Sequence, residues 1–425
     1  MKRKGMITAI FLTLFMGDLT AQDWQSLNPP NAPSPREGHS MVTTPEGKVL
    51  LFGGGVPEQD LFNDLFVFEQ NDWNEITPVN DPPPARMEHE AWISGDKMYI
   101  YGGLGENGPL DDMWTYDLYL NRWDQPSIPG NRPSARHGQA TVSMPDGTIG
   151  ILGGTDSDGS NLRDFWSFSS AGFTELRDCP RAYSHHIAFV VGDQYMLVFG
   201  EPNVMVYYQF ENGTWGVTTG ELPLWGYASH VNVLNNLHEE VVFIFGGHDG
   251  EGEDSDLVYE FNTATGEVIQ RQQLLPQPVA GGDAALYKDG GADGLRGISL
   301  ADSYKVLIFG GQSGGAVMNQ TWASTQSYPI AAINLQPADG FEVALFPNPA
   351  NSVITLQLAV GPEYSGELAE LEIVDVSGIR VMKELIPSGS LKVTYDISHL
   401  PQGVYFCRIT RELQSAVRKL VVIRN

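Results

Sequence analysis

Cysteine is almost missing from this sequence: 425 residues hold two, Cys179 and Cys407. Neither belongs to a C-x-x-C pair or sits among clustered metal ligands, which removes redox dithiols, zinc ribbons and disulfide scaffolds from consideration. A bridge between the two is open but not expected. Positive charge is scarce as well, with 25 Lys and Arg against 52 Asp and Glu. Nucleic-acid phosphates need cationic partners, so no nucleic-acid function is expected. Long apolar runs are lacking too. The apolar run Met6–Gly17, "MITAIFLTLFMG", is too short to cross a bilayer, and no membrane-spanning segment is expected elsewhere.

That short run has its own meaning. Lys2, Arg3 and Lys4 precede it and the small Ala21 follows, so residues 1–21 read as a secretory signal peptide. The acidity is confined to one part of the chain. Residues 22–341 hold 42 acidic and 14 basic residues, whereas residues 342–425 hold 9 and 8. A break of this size in composition marks a domain boundary.

What the sequence has in abundance is glycine, 47 residues, and much of it recurs in phrase. "VLLFGG", "MYIYGG", "IGILGG", "MLVFGE", "VFIFGG" and "VLIFGG" place their first glycines at Gly53, Gly102, Gly153, Gly200, Gly246 and Gly310. The steps are 49, 51, 47, 46 and 64 residues. The first four phrases follow Pro-Arg-like starts ("SPREGHS", "PARMEHE", "SARHGQA", "CPRAYSHH"), the fifth an altered "LWGYASH" and the sixth a weak "PVAGGDA", and each precedes an aromatic strand such as "NDLFVF", "DDMWTYD" or "RDFWSF". A later aromatic closes most units, at Trp73, Trp123, Phe173 and Trp215. Four short strands per unit at a period near 50 resemble kelch repeats, so residues 22–330 are expected to form a six-bladed kelch β-propeller. The glycine pairs would let a strand end tightly against its neighbour, where φ is positive and no Cβ fits. The sixth unit lacks an outer strand, and "QDWQSLNPP" near the start carries Trp24 where the other units carry Trp73 and Trp123. Residues 22–28 are therefore predicted to pair with residues 319–326 and close the last blade. The long fifth step comes from the loop "LYKDGGADGLRGISLADS".

Beyond a linker at 331–341 the pattern becomes single alternating strands separated by "NPAN", "SG" and "PQG" turns, which predicts a small immunoglobulin-like β-sandwich. Pro347, Asn348, Pro349, Asp375, Gly378, Gly403, Tyr405 and Lys419 carry its resemblance to the C-terminal sorting domain (type A) of the type IX secretion system of Gram-negative bacteria. That resemblance assigns residues 342–425. It implies the type IX machinery as a partner, export to the periplasm and a secreted or outer-membrane-surface location, usually with removal of the tail.

Candidate site residues come from the repeats. Arg36, Arg86, Arg136 and Arg181 stand one per blade, and resemblance to kelch proteins places the residues after them, Glu37, Met87, His137 and Ala182, at a channel mouth. His39, His89, His137, His185, His186 and His230 gather near inner-strand starts. They are read chiefly as packing groups, with imidazole convergence on a metal as the rival. The ligand-contact set is Arg36, Glu37, His39, Arg86, His89, Arg136, His137, Arg181, His185 and His230. "TDSDGSN" (Thr155–Asn161) imitates a calcium loop but has Ser167 where the bidentate Glu belongs, so it reads as a solvated turn, like "GHDGEGEDSD". No catalytic set, no metal and no other cofactor is expected. The copper and Tyr–Cys chemistry of galactose oxidase-like propellers has no counterpart, since Cys179 stands at a blade boundary, and no motif carries a likeness to sialic acid epimerases. The expected function is non-catalytic binding of a glycan or extracellular protein, with a carbohydrate-active enzyme at the channel mouth as alternative. Glu201, where a glycine recurs elsewhere, reads as decay accompanying a shortened loop. Mass spectrometry of secreted protein is expected to show loss of residues beyond about Gly340; an intact tail would contradict the sorting assignment.

Overall fold

The computed structural model describes residues 24–192, 194–201, 204–219, 226–234, 240–249, 251–272, 274–288, 303–329, 341–346, 350–360, 369–375, 380–386, 392–411, 414–422 and 424. The leader at 1–21, the linker at 331–340, most of the Gly/Asp-rich loop, and Pro347, Asn348, Pro349 and Gly378 lie outside them. Among the described residues there is no helix, and none is long and apolar enough to cross a membrane.

Apolar and β-branched residues dominate the repeats, and they form antiparallel strands in sequence order. Residues 40–76 build one four-stranded sheet, from Ser40–Thr43 through Val49–Phe52 and Leu65–Glu69 to Asp72–Ile76. Sheets of the same order follow at 90–124, 140–175, 187–219 and 226–270. The sheet after these takes three of its strands from 283–324, and its outer strand is Trp24–Leu27. Trp24 pairs with Ser324 and Leu27 with Thr321, and the Trp24 indole meets Phe245 edge-on at 5.4 Å.

Alternation along each strand sends successive side chains to opposite faces. Leu51 and Phe68 pack with Tyr287 and Phe309, while their neighbours Leu50 and Phe52 pack with Ile100 and Trp123. Among the described residues each of these sheets feeds two cores, one with the sheet before it and one with the sheet after, and the series closes on itself because residues 41–73 share a core with residues 285–323. Trp73 and Trp123 are fully buried in these seams. The arrangement is that of a kelch propeller, with the inner strands around a central axis.

The tail is a separate pair of sheets. Phe341–Phe346, Val353–Val360 and Lys392–Asp396 form one; Arg380–Ile386, Ala369–Asp375, Gly403–Arg411 and Gln414–Val422 form the other. Ile354, Leu356 and Tyr395 meet Leu371, Ile373, Cys407 and Leu420 between them. Gly403 opens a strand, Asp375 ends one, and Lys419 lies opposite Phe406. The Tyr405 hydroxyl donates back to Pro401 O at 2.9 Å. Both cysteines are buried and free.

Replacing Trp24 by Ala is expected to lower the stability of the propeller by about 3–5 kcal/mol. Urea unfolding followed by tryptophan fluorescence reads this; an unchanged midpoint would mean that the terminal strand does not latch the ring.

Candidate functional site

The site is assembled by the repeat itself, beginning with the arginines. Arg36 Nη1 and Nη2 hold both oxygens of Asp64 at 2.5 and 2.8 Å, Nη1 also reaches Gly53 O, and Nε donates to Ser34 O. Arg86 makes the same set with Asp112, Gly102 O and Pro84 O, and Arg136 with Asp164, Gly153 O and Ser134 O. All three guanidiniums are fully buried. Burial opposes charge on Asp112 and Asp164, yet the arginine bonds outweigh it and hold both carboxyls below the usual range. The arginines are therefore frame groups that tie the inner-strand start to the glycine phrase and the aromatic strand. They are not ligand contacts, which corrects the expectation for Arg36, Arg86 and Arg136.

The glycine pairs complete this frame. A Cβ on Gly53 would stand 2.8 Å from Arg86 O and one on Gly102 2.9 Å from Arg136 O, so each pair abuts the next blade's backbone. The fourth blade departs from the pattern. Its strand runs straight through Gly200 to Glu201, which pairs with Val204 across a register shift. No aspartate stands before its aromatic strand. Correspondingly, the arginine's place goes to Tyr183: its N–H donates to Leu162 O just as Arg136 N–H donates to Leu110 O, and its ring covers Gly200. Arg181 lies two residues before that position and is half-buried.

Two residues beyond each arginine place the chain enters the left-handed region. Gly38, Glu88, Gly138, His185, Tyr227 and Gly281 have φ of +61°, +54°, +63°, +54°, +56° and +66°. Their backbones form a closed circuit. Glu88 N–H donates to Gly38 O, Gly138 to Glu88, His185 to Gly138, Tyr227 to His185, Gly281 to Tyr227, and Gly38 to Gly281, at 2.6–2.9 Å. Glycine fits this conformation freely, whereas a side chain there costs about 1–2 kcal/mol. Glu88, His185 and Tyr227 accept that strain, and strained positions cluster at functional sites.

Their side chains gather at this end of the channel. Glu88 Oε2 lies 2.5 Å from His137 Nδ1 and 2.9 Å from His185 Nε2. A Cβ on Gly138 would be 2.7 Å from His185 Nε2, so glycine clears the ground for that imidazole. The Tyr227 ring is stacked between His185, at 4.0 Å, and His248, at 4.9 Å. Asp254 Oδ1 is 3.3 Å from His248 Nε2, and its other oxygen accepts from Gly314 N. Burial works against charge on Glu88, but hydrogen bonds from both imidazoles bring its carboxyl down to about 2. Burial and the charges of Glu88 and Asp254 push Glu37 up to about 7.

Of the sequence-derived set, the structure brings Glu37, His137 and His185 to this mouth. His39 and His89 are buried in the frame: burial and the adjacent Arg36 take His39 to about 3, and His89 holds Ser40 Oγ at 2.8 Å. Burial takes His186 to about 3, so this imidazole is a neutral packing group, while His230 stands half-buried on an inner strand. The loop "GHDGEGEDSD" is more than a solvated turn, since it delivers His248 and Asp254. Asp156 in "TDSDGSN" does behave as a turn, its Oδ1 accepting from Asp158 and Ser160 N–H. Glu88, Tyr227, His248 and Asp254 were missed. The signal available for Glu88 was a charged side chain standing where Gly38 and Gly138 occupy the same step of the repeat.

Residues 4–200 match the model of the KLHDC2/KLHL20/DRC7 Kelch-repeats domain, and residues 344–423 match the secretion system C-terminal sorting domain. Over 112 residues the chain is 37% identical to Tip elongation aberrant protein 1 of Schizosaccharomyces pombe, covering 24% of this chain and 10% of that protein. Over 184 residues it is 29% identical to tRNA wybutosine-synthesizing protein 4 of Aspergillus fumigatus, covering 40% and 17%. Over 196 residues it is 26% identical to Acyl-CoA-binding domain-containing protein 5 of Arabidopsis thaliana, covering 44% and 30%. The chain thus spans less than a third of each of these relatives.

Arg136→Met removes the partner of a half-buried carboxylate and is expected to cost about 1–3 kcal/mol at neutral pH. Because the folded Asp164 has a depressed pKa, the pair's contribution is present above the unfolded value near 3.8 and lost as pH falls through the folded one. Chemical denaturation at pH 7 and pH 3 should show the gap between variant and wild type closing on acidification. A gap independent of pH would mean that the arginine acts through packing alone.

Proposed function

We propose that this secreted kelch-repeat protein, carrying a type IX sorting tail, is a six-bladed propeller spanning residues 22–330 that holds a glycan at the mouth bearing Glu37, Glu88, His137, His185 and Tyr227. One observation carries the reading: three of the six left-handed ring positions keep polar or aromatic side chains at an energetic cost, and these point together with Glu37 and His137. Carboxylates accept hydroxyl protons and imidazoles donate or accept, so the mouth suits a hydroxyl-rich ligand. A protein partner would ask for an apolar centre. The exposed large apolar residues, such as Val79, Tyr119, Leu120 and Val217, are not among the mouth residues.

A specific observation also favours catalysis on a sugar. Two carboxylates share the mouth in opposite protonation ranges, Glu37 pushed up and Glu88 held down, and such a split is what an acid–base pair needs. Export through the periplasm and display or release at the outer surface would place either activity among extracellular polysaccharides.

A glycan array probed with the full secreted chain is expected to give saturable binding that Glu37→Gln weakens roughly tenfold. Turnover in a sugar-oxidation or mutarotation screen would replace the binding reading with the enzymatic one, and binding indifferent to Glu37 would move the ligand away from this mouth.

A further inference from the structure

The geometry points to a divalent transition-metal site, of the Zn2+ class, formed by Glu88, His137 and His185 at the propeller mouth. One ligand atom from each residue lies within 4.8 Å of the other two, and the three residues come from three successive blades. Two imidazoles and one carboxylate are a ligand set that borderline metals accept, with a fourth position left for water or an incoming oxygen. Hard cations such as Ca2+ prefer six or more oxygens and are poorly served here.

The distances are close to those that metal ligation requires. Ligands about 2.0–2.1 Å from a tetrahedral metal stand roughly 3.3 Å apart. The Glu88 oxygen is 2.5 and 2.9 Å from the two nitrogens, so side-chain shifts of under about 1 Å would open the centre. His185 Nε2 lies 2.9 Å from Glu88 Oε2, a contact that an ion would replace once the imidazole proton is carried on Nδ1. The groups behind it are those that orient a metal-bound imidazole. His185 Nδ1 lies 3.0 Å from Ser184 Oγ, which Thr155 Oγ1 holds at 2.7 Å, and the ring is stacked on Tyr227. Such a site departs from the sequence-based expectation that no metal is bound, because the convergence depends on Glu88, which the sequence did not single out.

The ring supplies variants that keep the fold. Gly38, Gly138 and Gly281 occupy the same left-handed step as Glu88 and His185, so Glu88→Gly and His185→Gly remove ligands while relieving backbone strain. Full-length secreted protein, stripped with a chelator, would be titrated calorimetrically with ZnCl2, with CaCl2 in parallel. The expected result is one Zn2+ per chain, a rise in melting temperature on loading, and at least roughly tenfold weaker binding in each variant. Replacement by Co2+ should give the intense visible absorption of a low-symmetry four-coordinate ion in wild type, and lose it in both variants. Absence of saturable Zn2+ binding to the wild type, or binding that persists unchanged in both variants, would overturn the assignment. No glycan takes part in these measurements, so their failure leaves the glycan reading standing, and an empty glycan array leaves the metal site standing.

Discussion

A circuit of six backbone hydrogen bonds, passed between residues that all adopt left-handed conformations, closes one end of the propeller axis. It satisfies the N–H and C=O groups that would otherwise be stranded where the inner strands begin. It also fixes where each blade's following side chains go. Because the circuit is rigid and repeated, small departures from the repeat are projected onto a common centre. A side chain at a ring position has little choice but to stand over the axis with its neighbours. The buried Arg–Asp pairs serve this circuit, since they hold the residues just before it against the glycine phrases behind.

Much of the frame was legible in the sequence because it is repeated. The glycine phrases and the aromatic strands recur at intervals near 50 residues, and Trp24 fills the empty place in the last unit. The arginines were visible but misread. Their recurrence was taken to face a channel, whereas each has an aspartate 26–28 residues later that neutralises it in the interior. Spacing shows that two residues recur together; whether they face each other or a ligand depends on which side of the strand they leave. In the fourth unit the aspartate is absent and Tyr183 fills the vacated volume, so Arg181 belonged to a pattern already broken.

The site was less legible for the opposite reason. What matters at the mouth is what fails to repeat: Glu88, His185 and Tyr227 replace glycine, and one blade lends a loop carrying Asp254. Non-repetition looks like drift until the backbone shows that Glu88, His185 and Tyr227 hold a left-handed conformation that only glycine adopts freely. Glu201 is the contrasting case. There the strand continues through Gly200 to Glu201, which pairs with Val204.

The latch formed by Trp24–Leu27 has a mechanical side. The chain leaves the propeller for its tail through Thr321–Ser324, a strand gripped by Trp24–Leu27 on one flank and by Leu307–Phe309 on the other. Tension applied through the tail first meets the short pairing of Tyr328 and Pro329 with Tyr304 and Ser303. Beyond it, pulling along the strand loads both flanking ladders together instead of peeling one bond at a time. A propeller tethered by its tail is thus fastened at its seam, where the first and last strands share the force.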